Sequence, residues 1–190
     1  MANIKLGLPN GKEQLAIEQL DGTYAPQVGI AASETHMGAM GGHIYTVSAN
    51  PVLTVAGAYS ANDYIGTSGV AMVFANVARV SGGSGVIHSV VLADGALQSA
   101  SLELWLFDTA ITPPADNDAW TISDAHNATC IGVIPLQTYY ASAANSVANP
   151  RSVGLPFNAV VRDIYGCLVT RGTPTLLSLD LTVRLQILGD

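Results

Sequence analysis

Leu179-Asp-Leu-Thr-Val-Arg-Leu-Gln-Ile-Leu188 decides the fold class, because Leu179, Leu181, Val183, Leu185 and Ile187 alternate with Asp180, Thr182, Arg184 and Gln186. A period of two is that of a β-strand whose successive side chains point to opposite faces, one set towards a core and the other towards solvent or a partner. Leu102, Leu104 and Leu106 repeat the pattern against Ser101, Glu103 and Trp105. From His43 onward, short apolar or alternating runs are separated by Gly, Pro, Asn, Asp and Ser clusters, as in an antiparallel β domain. Strands are expected near Ile44–Ser48, Val52–Val55, Val70–Val80, Val86–Leu92, Ser101–Asp108, Cys130–Ile134, Val160–Thr170 and Leu179–Leu188. About eight strands at such spacing suggest an all-β antiparallel sandwich of jelly-roll type.

The connections carry their own signals. Ser81-Gly-Gly-Ser-Gly85 joins two apolar runs, and glycines tolerate the positive φ of tight turns, so a hairpin is expected there. Asp94-Gly95 and Arg171-Gly-Thr-Pro174 are further turn signals. Thr112–Asn127, with two prolines, three aspartates and Trp120, is too polar for a core strand and is expected to be a long surface loop.

Residues 1–42 differ from the remainder. They hold both lysines, Lys5 and Lys12, four acids, and the Gly- and Met-rich run His36–Gly42, which reads as an arm with a flexible join to a body spanning 43–190. Leu15, Ile17 and Leu20 could form one helical turn, but Gly22 and Pro26 would stop it quickly, so an extended arm is expected.

Charge is scarce. Only 11% of the 190 residues are charged, and between His36 and Ala93 the only Asp, Glu, Lys or Arg residues are Asp63 and Arg79. Globular chains carry about a quarter, and charges discourage association. The deficit points to a surface covered by other protein chains. Seven scattered basic residues and a net charge of −7 oppose nucleic-acid binding, whose affinity comes mostly from phosphate neutralisation. Mean hydropathy is +0.36, yet no apolar run approaches the about 18 residues of a spanning helix, so no membrane role is expected. Met1–Pro9 lacks the apolar core of a secretory signal, and synthesis in a cytoplasm is expected.

Chemistry-bearing residues are few. No Gly-x-Ser-x-Gly elbow accompanies the serines, and His36, His43, His88 and His126 have no short metal-binding spacing. His88 shares a strand parity with Val86 and Val90 and reads as a core or interface histidine. Asp116-Asn117-Asp118 and Asp124 offer hard oxygen ligands, but without the glycine and twelfth-position glutamate of an EF-hand; a solvated loop is the simpler reading. Trp105, Trp120, Tyr139 and Tyr140 could stack on a sugar, although packing explains aromatics more simply. Cys130 and Cys167 lie in apolar runs and read as reduced thiols, with a cross-strand disulfide as the alternative. Neither an enzyme nor a cofactor nor a bound metal is expected.

The hairpin segment Phe74–Leu92, the strand Leu102-Glu-Leu-Trp-Leu-Phe-Asp108, Ile131-Gly-Val-Ile134 and Tyr165-Gly-Cys-Leu-Val-Thr-Arg-Gly-Thr-Pro174 resemble a group of tailed-bacteriophage virion proteins, the head decoration or cement proteins. Gln14-Leu-Ala-Ile-Glu-Gln-Leu-Asp-Gly-Thr-Tyr24 likewise resembles an opening segment of phage structural proteins. The resemblance implies a protein on the capsid surface of the virion that binds the major capsid protein, self-associates as a homotrimer, and reaches a neighbour through Leu15, Ile17, Leu20 and Tyr24. The alternative is a receptor- or glycan-binding domain of a tail fibre or spike.

Overall fold

The computed structural model describes the backbone of residues 3–7, 13–18 and 24–26, and residues 43–55, 57–177 and 180–189 with their side chains. The chain divides into two units, Met1–Met40 and Gly41–Asp190. In the first, β1 (Asn3–Gly7), β2 (Glu13–Glu18) and β3 (Tyr24–Pro26) form an antiparallel sheet in the order β1-β2-β3. The described parts of the segment expected to be an arm are thus strands paired with one another, and Leu15 and Ile17 lie on a strand and not on a helical turn.

The second unit contains β4 (His43–Ala49), β5 (Gly57–Ala58), β6 (Tyr64–Ile65), β7 (Met72–Phe74), β8 (Ser84–Asp94) and β9 (Leu102–Phe107). These are followed by α1 (Asp124–Asn127), β10 (Cys130–Leu136), β11 (Tyr139–Ala141), β12 (Ser146–Ala148), β13 (Leu155–Asn158), β14 (Ile164–Thr170), β15 (Thr175–Leu176) and β16 (Leu181–Gly189). Six strands make one sheet in the order β11-β12-β8-β16-β4, with β13 also on β8; five make another in the order β10-β9-β14-β6, with β7 also on β14. The small pair β15-β5 stands apart from both. Every pairing is antiparallel.

The alternation read in the sequence is what packs the two sheets together. Leu181, Val183, Leu185 and Ile187 of β16 are buried in one cluster with Leu102, Leu104 and Leu106 of β9, Ile134 of β10 and Leu168 of β14. Side chains from both inner faces interdigitate, so the unit is an all-β antiparallel sandwich.

Four local expectations are corrected. Val52–Val55 is no strand: the amides of Thr54 and Val55 donate to the Asp116 carboxylate, each at 2.7 Å, and not to a ladder. The expected Val70–Val80 strand shrinks to β7, because Asn76 takes a positive φ of 56° and gives its amide to Asp163 at 2.8 Å, turning the chain away. The Ser81–Gly85 link is therefore no hairpin. It carries the chain from the five-stranded sheet to the six-stranded one, held by Gly82 N–H donating to the Ala159 carbonyl at 2.9 Å; Gly82 has a φ of 76° there, a region that favours glycine. His88 is the fourth case. A bulge opposite Gln186–Ile187 inserts one residue into β8, so the face parity slips and His88 is exposed while Ile87 and Val90 stay buried.

Candidate functional site

The two sheets differ in what covers their outer faces. On the five-stranded sheet, outward-facing Trp105 and Phe107 of β9, Tyr165, Cys167 and Val169 of β14, and Tyr64 of β6 form a second apolar cluster with Ala71, Ile111, Ile122 and Trp120. The Thr112–Asn127 segment is indeed irregular apart from α1, yet it is not merely a solvated loop: it roofs this sheet. Trp120 is buried, its ring 5.6 Å from that of Trp105 and 5.9 Å from that of Tyr64.

Asp116 anchors the roof. Beyond Thr54 and Val55, its carboxylate accepts from the Tyr59 hydroxyl at 2.9 Å and the Gly66 amide at 3.1 Å, and the residue is almost fully buried. Both oxygens are thus occupied by N–H and O–H donors, the environment of a structural carboxylate and not of a cation ligand. Among the described residues no group of three or more His, Cys, Asp or Glu side chains converges on a metal position. Burial, with the Asp116 charge beside it, pushes the Tyr59 hydroxyl far above its ordinary range and keeps it a donor.

The cysteines are free. Cys130 pairs with Phe107 on one side of β9 and Cys167 with Trp105 on the other. A whole strand separates them, and strands lie about 4.8 Å apart, which puts the pair outside disulfide range. Burial drives the Cys167 thiol up to about 12 and raises that of Cys130 as well.

Among the described residues of the second unit, no segment roofs the six-stranded sheet in this way. Its register gives the outer face as four rows running across the strands. Ile44, Leu188, Val86 and Pro156 make the first; Thr46, Gln186 and Ser89 the second; Ser48, Arg184 and Val91 the third; Thr182, Ala93, Val147 and Tyr140 the fourth. Arg184 is the only formal charge among them. Ile44 is 65% exposed, Leu188 37% and Tyr140 70%. An extended, nearly uncharged face with an apolar row along one end is suited to contact with another protein, and it carries no arrangement of nucleophile, base and orienting group.

Leu15 and Ile17 lie in β2 and Tyr24 in β3, within the first unit, with no side-chain setting described, while Leu20 and the whole His36–Gly42 run lie outside the described residues. On β16 the outer-face residues Thr182, Arg184 and Gln186 are the polar half of the alternation, so the sequence marks them only as solvent- or partner-facing. Their one visible signal was the low charge of those polar positions, Thr182 and Gln186 above all. Comparison with known proteins finds no family model that matches this chain and no curated protein with significant similarity to it.

Proposed function

We propose that this protein is a virion structural protein that decorates the outside of a phage head, binding the major capsid protein lattice and self-associating, with no catalytic role. The observation that carries the reading is the nearly uncharged outer face of the six-stranded sheet, which no described residue of the second unit roofs, next to a sister sheet whose outer face the chain covers with its own loop. The segments that resemble decoration proteins, Phe74–Leu92, Leu102–Asp108 and Tyr165–Pro174, run through both sheets of this sandwich.

The mechanism is mass action. A protein that binds only the assembled lattice stabilises it by RT ln(1 + [L]/Kd), about 2.7 kcal/mol per site at a hundredfold excess over Kd, repeated over many copies. The tail-fibre alternative has less support, because Trp120 is buried under its own loop and packed against Trp105, which leaves neither as an open stacking platform.

The experiment mixes full-length protein, and protein lacking residues 1–42, with heads that lack it, and measures copies bound after sedimentation and the temperature at which the heads break. Full-length protein should bind in a fixed stoichiometry and raise that temperature, and the truncated form should bind more weakly. Absence of binding to heads, with binding to tails or to glycans, would replace this reading by the receptor-binding one.

A further inference from the structure

The two tyrosines of β11 part company. Tyr139 points inward, where its hydroxyl donates to the Ala100 carbonyl at 2.6 Å. Tyr140 points outward, by the alternation of a strand, and is 70% exposed. Among the described residues it is the one exposed Tyr, Trp or Phe ring. Two hollows of about 310 and 530 Å³ open beside it, and Tyr140 and Asn149 line both. Gln137 and Thr138 contribute to the first, Val147 and Arg151 to the second.

Asn149 is kept here at a cost. Its Oδ1 has almost no accessible surface and no hydrogen-bond partner, the one buried side-chain nitrogen or oxygen among the described residues in that state. A buried acceptor left without its bond destabilises the fold, and an apolar side chain in its place would avoid the loss. The other end of the carboxamide, Nδ2, is open to the hollows and is likewise without a partner. Arg151 is exposed and has no carboxylate partner, and the side chains of Tyr140 and Gln137 make no hydrogen bond. No Asp or Glu among the described residues lines either hollow. The hollows therefore present an open ring face beside unpaired donors and a single cation.

We propose that Tyr140, Asn149 and Arg151 form a binding subsite for an acidic sugar, a pyranose ring bearing a carboxylate. The C–H face of the ring stacks on Tyr140, whose amphipathic side chain suits a ligand with one apolar face and a wet rim. The carboxylate takes the planar fork of Arg151, which has donors in a geometry matched to two carboxylate oxygens and nothing else to pair with. Ring hydroxyls accept from Asn149 Nδ2 and from the Gln137 amide, and the open Nδ2 is what the unsatisfied Oδ1 is retained for. A neutral sugar would leave Arg151 unused. A nucleic acid needs many basic residues to neutralise its phosphates, whereas the lining offers one on a chain of net charge −7. The subsite concerns a small ligand on the protein alone, so it stands independently of the capsid role.

The test is saturation-transfer NMR on the full chain with glucuronate, glucose and acetate as probes, for wild type, Tyr140→Ala, Arg151→Gln and Asn149→Ala. Tyr140 and Arg151 are exposed, so their variants should keep the wild-type circular dichroism. Glucuronate should bind in the millimolar range through its ring C–H groups. Glucose should bind about tenfold more weakly for want of one charge-assisted hydrogen bond, and acetate, without a ring, should show no transfer. Tyr140→Ala should lose the glucuronate signal, and Arg151→Gln should bind glucuronate only as weakly as glucose. Asn149→Ala should bind several-fold more weakly yet melt no lower than wild type, since it sheds an unsatisfied acceptor; a merely structural asparagine would lower the melting temperature and leave binding alone. Absence of transfer to glucuronate, equal binding of glucose and glucuronate, or a glucuronate affinity unmoved by Tyr140→Ala or Arg151→Gln would overturn the subsite.

Discussion

The ring of Trp120, next to an isolated antiparallel bridge between Ala119 and Asp63, packs 5.6 Å from that of Trp105 on β9 and closes the outer face of the five-stranded sheet. A 16-residue loop thereby becomes a third layer over one sheet, and the asymmetry between roofed and open faces follows from that contact.

Trp120→Ala should remove this layer's anchor. Truncating a large buried aromatic costs about 3 to 5 kcal/mol, and the loss should be accompanied by new access to Cys167 in the same cluster. Chemical unfolding with thiol labelling of the variant checks both; a stable variant with Cys167 still closed would mean that the loop is held by other contacts.

Asp116→Asn tests the polar half of the same attachment. An amide group replaces one carboxylate oxygen, so a pair of the four donors, from Thr54 and Val55 or from Tyr59 and Gly66, faces N–H in place of an acceptor. At about 1 to 3 kcal/mol per unsatisfied buried donor, the expected loss is about 2 to 6 kcal/mol. Denaturant midpoints measure it.

The two faces of β16 should respond differently to truncation. Leu181→Ala and Leu185→Ala remove buried side chains and should each cost about 2 to 5 kcal/mol, while Thr182→Ala, on the outer face, should cost well under 1 kcal/mol. Equal losses in urea unfolding would contradict the inner-face assignment.

Thiol chemistry gives an independent reading of burial. Cys167 is fully buried with its thiol pushed to about 12, so at pH 8 it holds almost no thiolate and should react with a disulfide reagent only on unfolding. Cys130, half-buried, should react in the native protein more slowly than a free thiol. Counting thiols released with and without denaturant decides it.

Glu103 links stability to pH. The hydrogen bond from Arg171 at 2.7 Å, assisted by Trp105 Nε1–H, holds its carboxyl below the usual range. A lowered folded-state value stabilises the fold above the unfolded value near pH 4.3, and the contribution fades as pH falls through the folded one. The pair is partly exposed, so its size is under about 1 kcal/mol. Glu103→Gln should lower the melting temperature slightly at pH 7 and leave it unchanged near pH 2.

The alternation of Leu181–Ile187 and of Leu102–Leu106 was enough by itself to determine an all-β sandwich, because a period of two in apolar side chains has one efficient burial, the inner face of a sheet. Sequence also marked the turn at Asp94-Gly95, the irregular course of Thr112–Asn127 and the shortage of charge. Tertiary structure alone decided what pairs with what. The Val70–Val80 and Val86–Leu92 runs look like hairpin partners, but Asn76 at positive φ and its bond to Asp163, 87 residues on, send them to different sheets. The bulge at His88 reverses a face assignment that parity had made, since one inserted residue shifts everything on one side of it. Asp116 looked like a solvated loop acid, and its burial depends on donors from residues 54–66, distant in sequence. The open face was hidden for the same reason: whether a polar position meets solvent, a loop or another strand depends on which segment returns to cover it, and that return is a long-range contact that no local pattern encodes.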